Sequence, residues 1–319
     1  MNLRKVKDIE ISDGLTVSEL IEKLYDAGGF SAKKVAEAAM ILSNMIRKKD
    51  CTVFLSFPAC IISTGTRGVI KYLVENSLVD VIITTCGTLD HDLARVWADY
   101  YHGDFRGDDL ELHRQGINRL GNIFIPNDSY GTVLERNMQP ILNEIYDSGG
   151  RELCTREIIE EFGKRITDKN SIIYWANRNK IPIYVPGITD GAFGSQIWLF
   201  TQTHRDFKID LMKDEQELSD IVFDAKASGA LMLGGGISKH HTIWWNQFRD
   251  GLDYAVYVTT AVEYDGSLSG AQMREAVSWG KVREDARYIT VEGEVTLILP
   301  LMVAYLNDEI RKGNPLDLK

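Results

Sequence analysis

Ala230-Leu231-Met232-Leu233-Gly234-Gly235-Gly236-Ile237-Ser238-Lys239-His240-His241 holds one complete strand-turn-helix transition. The apolar run at 230–233 is too short for a helix, three glycines stop it, and an amphipathic segment follows at 239–249. Short apolar runs without clean alternation also stand at 52–56, 79–84, 181–185 and 254–260. Strands covered on both faces look like this, because neither face needs polar residues. Amphipathic segments at 67–76, 89–100 and 215–227 separate them. The alternation predicts an α/β fold, a mostly parallel sheet flanked by helices.

Upstream of the first run the pattern is helical. Thr16-x-x-Glu19 is a capping box, with Leu20, Ile21 and Leu24 on one face behind it. Val35, Ala38, Ala39, Leu42, Met45 and Ile46 then repeat at helical spacing. No repeat, low-complexity tract or linker divides the rest. The expectation is an N-terminal helical extension over 1–50 and one large domain over 51–319.

The 319 residues are 44% hydrophobic and 26% charged, an ordinary globular balance. No apolar run reaches a membrane span, and MNLRKVKDIE lacks the apolar segment of a secretion signal, so a cytoplasmic protein is expected. The net charge of −10 argues against nucleic acid, whose phosphates it would repel. Cys51, Cys60, Cys86 and Cys154 have no C-x-x-C spacing, which favours free thiols over a disulfide framework or a zinc ribbon.

In parallel α/β sheets chemistry gathers at the carboxyl ends of the strands. The polar loops fall there: 84–87, 187–191, 234–241 and 259–270. The glycines at 234–236 have two readings, a cradle for a phosphate at a helix N-terminus or a tight turn, and no G-x-G-x-x-G accompanies them. His240 and His241 point about 100° apart on a helix and cannot share a metal ion; either is a candidate general base or a structural residue. No metal site is expected. Lys281 follows Trp279 and Gly280 behind the Gly/Ser-rich loop at 265–270. A lysine is a nucleophile only when neutral, a form that an aromatic wall excluding water favours. The alternative is a solvated surface lysine.

DGSLSGAQMREAVSWGK at 265–281 closely resembles the signature of deoxyhypusine synthases, in which the closing lysine of E-A-V-S-W-G-K is the nucleophile. LGGGISKHH (233–241), DYAVYVTTA (253–261), TDG (189–191), NRLGNIFIPN (118–127) and VDVIITT (79–85) extend the likeness in the same order. The resemblance implies a Rossmann-like core and a homotetramer with active sites shared between paired subunits. It implies NAD-dependent oxidation of a polyamine such as spermidine and transfer of the aminobutyl group to the active lysine as a Schiff base. Delivery to the hypusine-carrying translation initiation factor follows.

By matching position, Lys281 is the nucleophile and His240 the base. Trp279 lines the donor tunnel, Glu275 faces the amine, and Asp90, His91, Ser195, Gly266, Ser267 and Leu268 complete the donor side. NAD would fall to Ser63, Thr85, Cys86, Gly87, Asp190, Gly235, Thr260, Ala261, Asp265 and Glu294. The chain departs from the family pattern at several of these places. Ala59-Cys60 stands for Ser-Asn, Asp90-His91 for paired glutamates, and Ser195 and Leu268 for aspartates; Glu294 stands for an aspartate near the cofactor. Each ammonium of a desolvated polyamine needs a carboxylate or dipole, so the donor pocket is expected to be altered while the cofactor and imine machinery is kept. A protonated His91 would repel a polyamine, giving a reaction that improves above about pH 6.5.

Two other readings stay open. One is a divergent paralogue that uses another amine or a small-molecule acceptor, as homospermidine synthases do. The other is a non-catalytic subunit that activates a partner. A simple NAD-dependent dehydrogenase would leave Lys281 without a role.

Overall fold

The computed structural model describes residues 3–313. Its principal strands are β1 (Cys51–Phe57), β2 (Val81–Thr84), β3 (Ile183–Tyr184), β4 (Ala227–Leu233), β5 (Leu252–Thr259) and β6 (Val282–Glu292). The chain forms two compact units. One falls within Met1–Ser56, Leu78–Asp80 and Asp220–Lys319, the other within Phe57–Ser77 and Val81–Ser219.

The first unit is built on the order β6-β5-β4-β1, every pair parallel. In register, Leu231 of β4 faces Leu55 of β1 on one side and Val256 of β5 on the other. All seven residues of β4 are buried, the two-sided cover that its unbroken small and apolar sequence implied. The Thr16–Glu19 capping box is present at the helix Val17–Ala27. The stripe Val35, Ala38, Ala39, Leu42, Met45 and Ile46 is buried on the helix Phe30–Arg47. That helix packs on β6 and on the closing helix Val295–Lys312, so residues 17–47 belong to this unit's core.

β6 and the closing helix had no clear sequence signal. β6 is the outermost strand of the order, and its Glu284, Asp285 and Arg287 are exposed. Charges on an edge strand block pairing with a second chain and break the apolar pattern by which a strand is read. In the closing helix Pro300 sits in the interior, where a missing N–H reads as a stop.

In the second unit β2 pairs with β3 in parallel, Ile82 opposite Ile183. Helices Arg67–Glu75, Cys86–Trp97, Gly131–Asp147, Thr155–Arg165, Ile172–Asn179 and Ala192–Thr201 belong to the same unit. Asp92, fully buried, ties three of them together. It accepts from Arg67 Nε at 2.7 Å, Ser171 Oγ at 2.6 Å and the amides of Ile172 and Ile173. A buried carboxylate is tolerated when paired and fully hydrogen-bonded in this way. Among the described residues no helix is long and apolar enough to cross a membrane. No disulfide joins the four cysteines, which all lie among the described residues, and Cys60 alone of them is exposed.

Candidate active site

Lys281 owes its position to the residues just before it. The short helix Met273–Ser278 ends in a turn in which Gly280 N donates to Val277 O and Lys281 N to Ala276 O, both at 3.0 Å. This is the Schellman pattern, and it needs a left-handed residue, supplied by Gly280 at φ +66°. Gly280 therefore serves the backbone turn, besides leaving open space. The Lys281 carbonyl in turn accepts from Leu252 N at the start of β5. The backbone is held on both sides, and the side chain is 7% exposed.

Its Nζ lies 5.1 Å from the centroid of Trp279 and 5.6 Å from that of Trp244. Trp279 is itself 65% exposed, so the wall it makes is open on the far side. His240 sits one turn before Trp244 on the helix Ile237–Asn246 and tilts over the same ring. Burial, with Lys281 adding, lowers His240 below its ordinary value and keeps the imidazole neutral, ready to accept a proton. His241 pairs instead with Trp245, on a different side of the helix. Trp244 carried a signal that went unread: an aromatic four residues after His240 shares its face.

The glycine turn joins β4 to this helix. Gly234 and Gly236 take left-handed φ values of +72° and +85°, which permits the sharp reversal. Gly235 is glycine for another reason: a Cβ there would overlap Ser269. These conformations account for the tight-turn reading of the glycine run. The helix begins without a side-chain cap, and Ser238 Oγ in its first turn is buried with no partner. An uncapped N-terminus with an orphaned hydroxyl beside it suits a phosphate. The helix Cys86–Trp97 after β2 also starts without a side-chain cap, because Thr85 Oγ1 is turned to accept from Ala59 N.

In the second unit Asp90 is 1% exposed, and both its oxygens are engaged. Oδ1 accepts from Phe193 N at 2.7 Å; Oδ2 accepts from Ala192 N at 2.9 Å and Tyr130 Oη at 2.8 Å. The carboxylate is the cap of the helix Ala192–Thr201, a role no sequence signal marked. Burial pushes its carboxyl up, against the pull of those three donors. His91 rests against Tyr130 and Tyr100, with Nδ1 2.9 Å from Tyr100 Oη. Burial drives His91 down to about 4. The expected repulsion of a polyamine by protonated His91, and the improvement above pH 6.5, are therefore overturned: the ring is neutral throughout that range. Burial likewise pushes the Cys86 thiol up to about 12, leaving it a neutral packing group.

The deoxyhypusine synthase family model matches residues 19–306. The chain is 59% identical over 299 residues to a probable deoxyhypusine synthase of Picrophilus torridus, covering 94% of this chain and 96% of that one. With the corresponding protein of Thermoplasma acidophilum it is 56% identical, at the same coverage. The chain belongs to the deoxyhypusine synthase family. In fold it is similar to an Entamoeba histolytica crystal structure provisionally assigned to the same enzyme, at a TM-score of 0.64 and 22% identity, over 94% of this chain and 96% of that one.

The remaining positions that deoxyhypusine synthases assign to ligands fall into two groups. Asp190, Thr260, Gly266 and Glu275 are exposed, as is Asp265, whose Oδ1 accepts from Ser267 N at 2.6 Å. Ala261 is half-buried, with its amide on Thr259 Oγ1. The other group is already engaged by the protein. Ser63 Oγ donates to Cys60 O and Ser195 Oγ to Gly191 O. Glu294 caps the closing helix through Leu297 N. Gly87 could carry no side chain without pressing on Ala59. Ser267 Oγ accepts from Gly270 N, and Leu268 offers its carbonyl to Lys239. Cys154, Asp214 and Glu217 also bring ligand-type atoms together, but the carboxylates are held by Thr155 N, Arg156 N and the Arg156 guanidinium.

Proposed function

We propose that the chain transfers an aminobutyl group from a polyamine such as spermidine, with NAD as cofactor and Lys281 as the covalent carrier. The observation that carries the reading is the Lys281 side chain, buried against Trp279 and Trp244 with neutral His240 over the same indole. NAD bound at the strand-end loops supplies the hydride acceptor that makes an imine of a secondary amine. Gly234, Gly236 and Ser238 would hold its phosphates, and the exposed Thr260 and Asp265 with the half-buried Ala261 would face the rest.

His240 takes up the proton that the donor amine releases. Lys281 Nζ adds to the imine carbon, the departing diamine takes that proton, and a lysine imine remains. The burial of Lys281 between the two indoles limits the access of water, which would otherwise hydrolyse it. The family places the final acceptor on a lysine of a translation initiation factor, and we assign that partner, a homotetramer and a cytoplasmic location on the same ground. Leu268 and the engaged Asp90 favour a second reading of the donor, an amine of lower charge.

The test is to incubate the protein with NAD and a panel of amines, reduce with borohydride, and map the adduct by mass spectrometry. Label on Lys281, absent from Lys281→Ala and Lys281→Arg, is the expected result. Arginine stays protonated at any accessible pH and cannot attack. Label elsewhere, or transfer surviving in either variant, removes Lys281 from the mechanism.

A further inference from the structure

Lys239, next to His240, has no exposed surface. Its Nζ donates to Leu268 O at 2.8 Å and Ala271 O at 2.7 Å, and lies 3.7 Å from the centroid of Tyr257. Between those carbonyls, Ser269 O accepts from Tyr257 Oη at 2.6 Å and Thr259 Oγ1 at 3.0 Å. Three carbonyls within four residues are thus taken by buried side chains of β5 and the helix Ile237–Asn246.

The segment so held is tied to buried side chains only through these bonds. Glu263, Tyr264, Asp265, Gly266 and Ser267 are exposed, and their other bonds are local: Asp265 N to Val262 O, Gly266 N to Glu263 O, Ser267 N to Asp265 Oδ1, Gly270 N and Ala271 N to Ser267, and the exposed pair Glu263–Arg274. A loop with few buried apolar contacts opens easily unless polar groups pin it. Gly235 and Gly270 allow it to lie close, since a Cβ on either would overlap Ser269 or the Val262 carbonyl.

We infer that Lys239 is a positioning residue: its buried amine pins the loop 265–271 to the helix that carries His240, and so fixes Ser267 and Leu268 with respect to the base. The inference rests on the transfer reading above. Nζ is enclosed by two carbonyls and a ring, which leaves no approach for an imine carbon and separates its role from that of Lys281. Burial pulls Lys239 down to about 7, opposed by Glu275 and helped by Lys281. Either protonation state keeps enough N–H donors for both carbonyls, so the clamp does not depend on the charge.

Lys239→Met keeps the reach and fills the space without a donor; Lys239→Gln restores an NH2 group. Hydrogen exchange of the full chain reads the loop directly. In Lys239→Met the Gly270 and Ala271 amides should exchange at least about tenfold faster while β4 and β5 keep their protection. The KM for the donor amine should rise about tenfold with kcat changed less than about threefold, the mark of lost substrate positioning. Glutamine should recover part of both. Unchanged loop exchange, or protection lost across β4 and β5 together, overturns the inference. The Lys281 adduct assay on the same proteins separates the two ideas. No adduct in wild type sinks the transfer reading and the catalytic part of the inference with it. Adduct formation with an unresponsive loop sinks the inference alone.

Discussion

His240 and Trp244 stand one helical turn apart with ring centroids separated by 5.5 Å and planes tilted by 30°. The same indole faces the Lys281 amine at 5.6 Å. One side chain therefore contacts both proposed reacting groups and fixes their common environment. Trp244→Ala opens that wall to water, which favours the protonated, unreactive amine, so adduct formation on Lys281 should slow by about three- to thirtyfold. Trp244→Phe keeps an aromatic face and should retain most of the rate. A Trp244→Ala enzyme that labels as fast as wild type would show that the indole only packs.

Ser238 Oγ is buried at the glycine turn without a partner, and a native structure leaves few such groups unexplained. If cofactor phosphate completes it, Ser238→Ala should raise the NAD dissociation constant by about two- to tenfold, the effect of one hydrogen bond of about 0.5–1.5 kcal/mol. Without NAD the variant should melt no lower than wild type, since alanine leaves no polar atom unsatisfied. Titration calorimetry with NAD, and thermal melts with and without it, make the comparison. Equal affinities would remove Ser238 from the cofactor site.

What the sequence disclosed follows a physical divide. β4 and the stripe on the helix Phe30–Arg47 were legible because burial writes itself as apolar periodicity. Lys281 was legible because Trp279, Gly280 and the preceding helix form a local turn, all within one stretch. Asp90 was misjudged in its surroundings, because its partners Tyr130, Ala192 and Phe193 lie 40 to 103 positions away. Lys239 was silent for the same reason, since its acceptors are backbone carbonyls 29 and 32 residues on, which no residue type announces.

The neutral His91 makes a stability prediction with a definite sign. Its folded value of about 4 lies below the ordinary 6.5, so folding favours the uncharged ring. Its contribution is full above about pH 6.5 and is lost as pH falls through 4, amounting to about 3 kcal/mol there. Asp90, raised by burial, acts in the opposite sense, so the difference between proteins is what isolates the histidine. His91→Phe cannot charge, and its denaturation midpoint should fall less than that of wild type between pH 7 and 4. Parallel curves would mean that His91 is solvated and free to protonate.

The donor itself is the sharpest question left by these contacts. Asp90, matched to a family acid, spends both oxygens on Ala192 N, Phe193 N and Tyr130. Ser195, also at an acidic position, donates its hydroxyl to Gly191 O. Leu268 brings no charge at all, and its carbonyl is occupied by Lys239. Of the donor-side acids the resemblance names, Glu275 alone is left exposed. An unpaired ammonium in a desolvated site costs several kcal/mol, so a triply charged amine is handicapped against a doubly charged one. Putrescine, oxidised at a primary amine and losing ammonia where spermidine loses a diamine, should thus show a higher kcat/KM than spermidine, and Leu268→Asp should raise the spermidine value by at least about tenfold, the worth of one charge-assisted hydrogen bond. The measurement is NADH formation and Lys281 labelling across the amine panel for both proteins. If wild type already prefers spermidine and the aspartate adds nothing, the missing carboxylates are replaced by groups other than these, and the altered-donor reading is dropped.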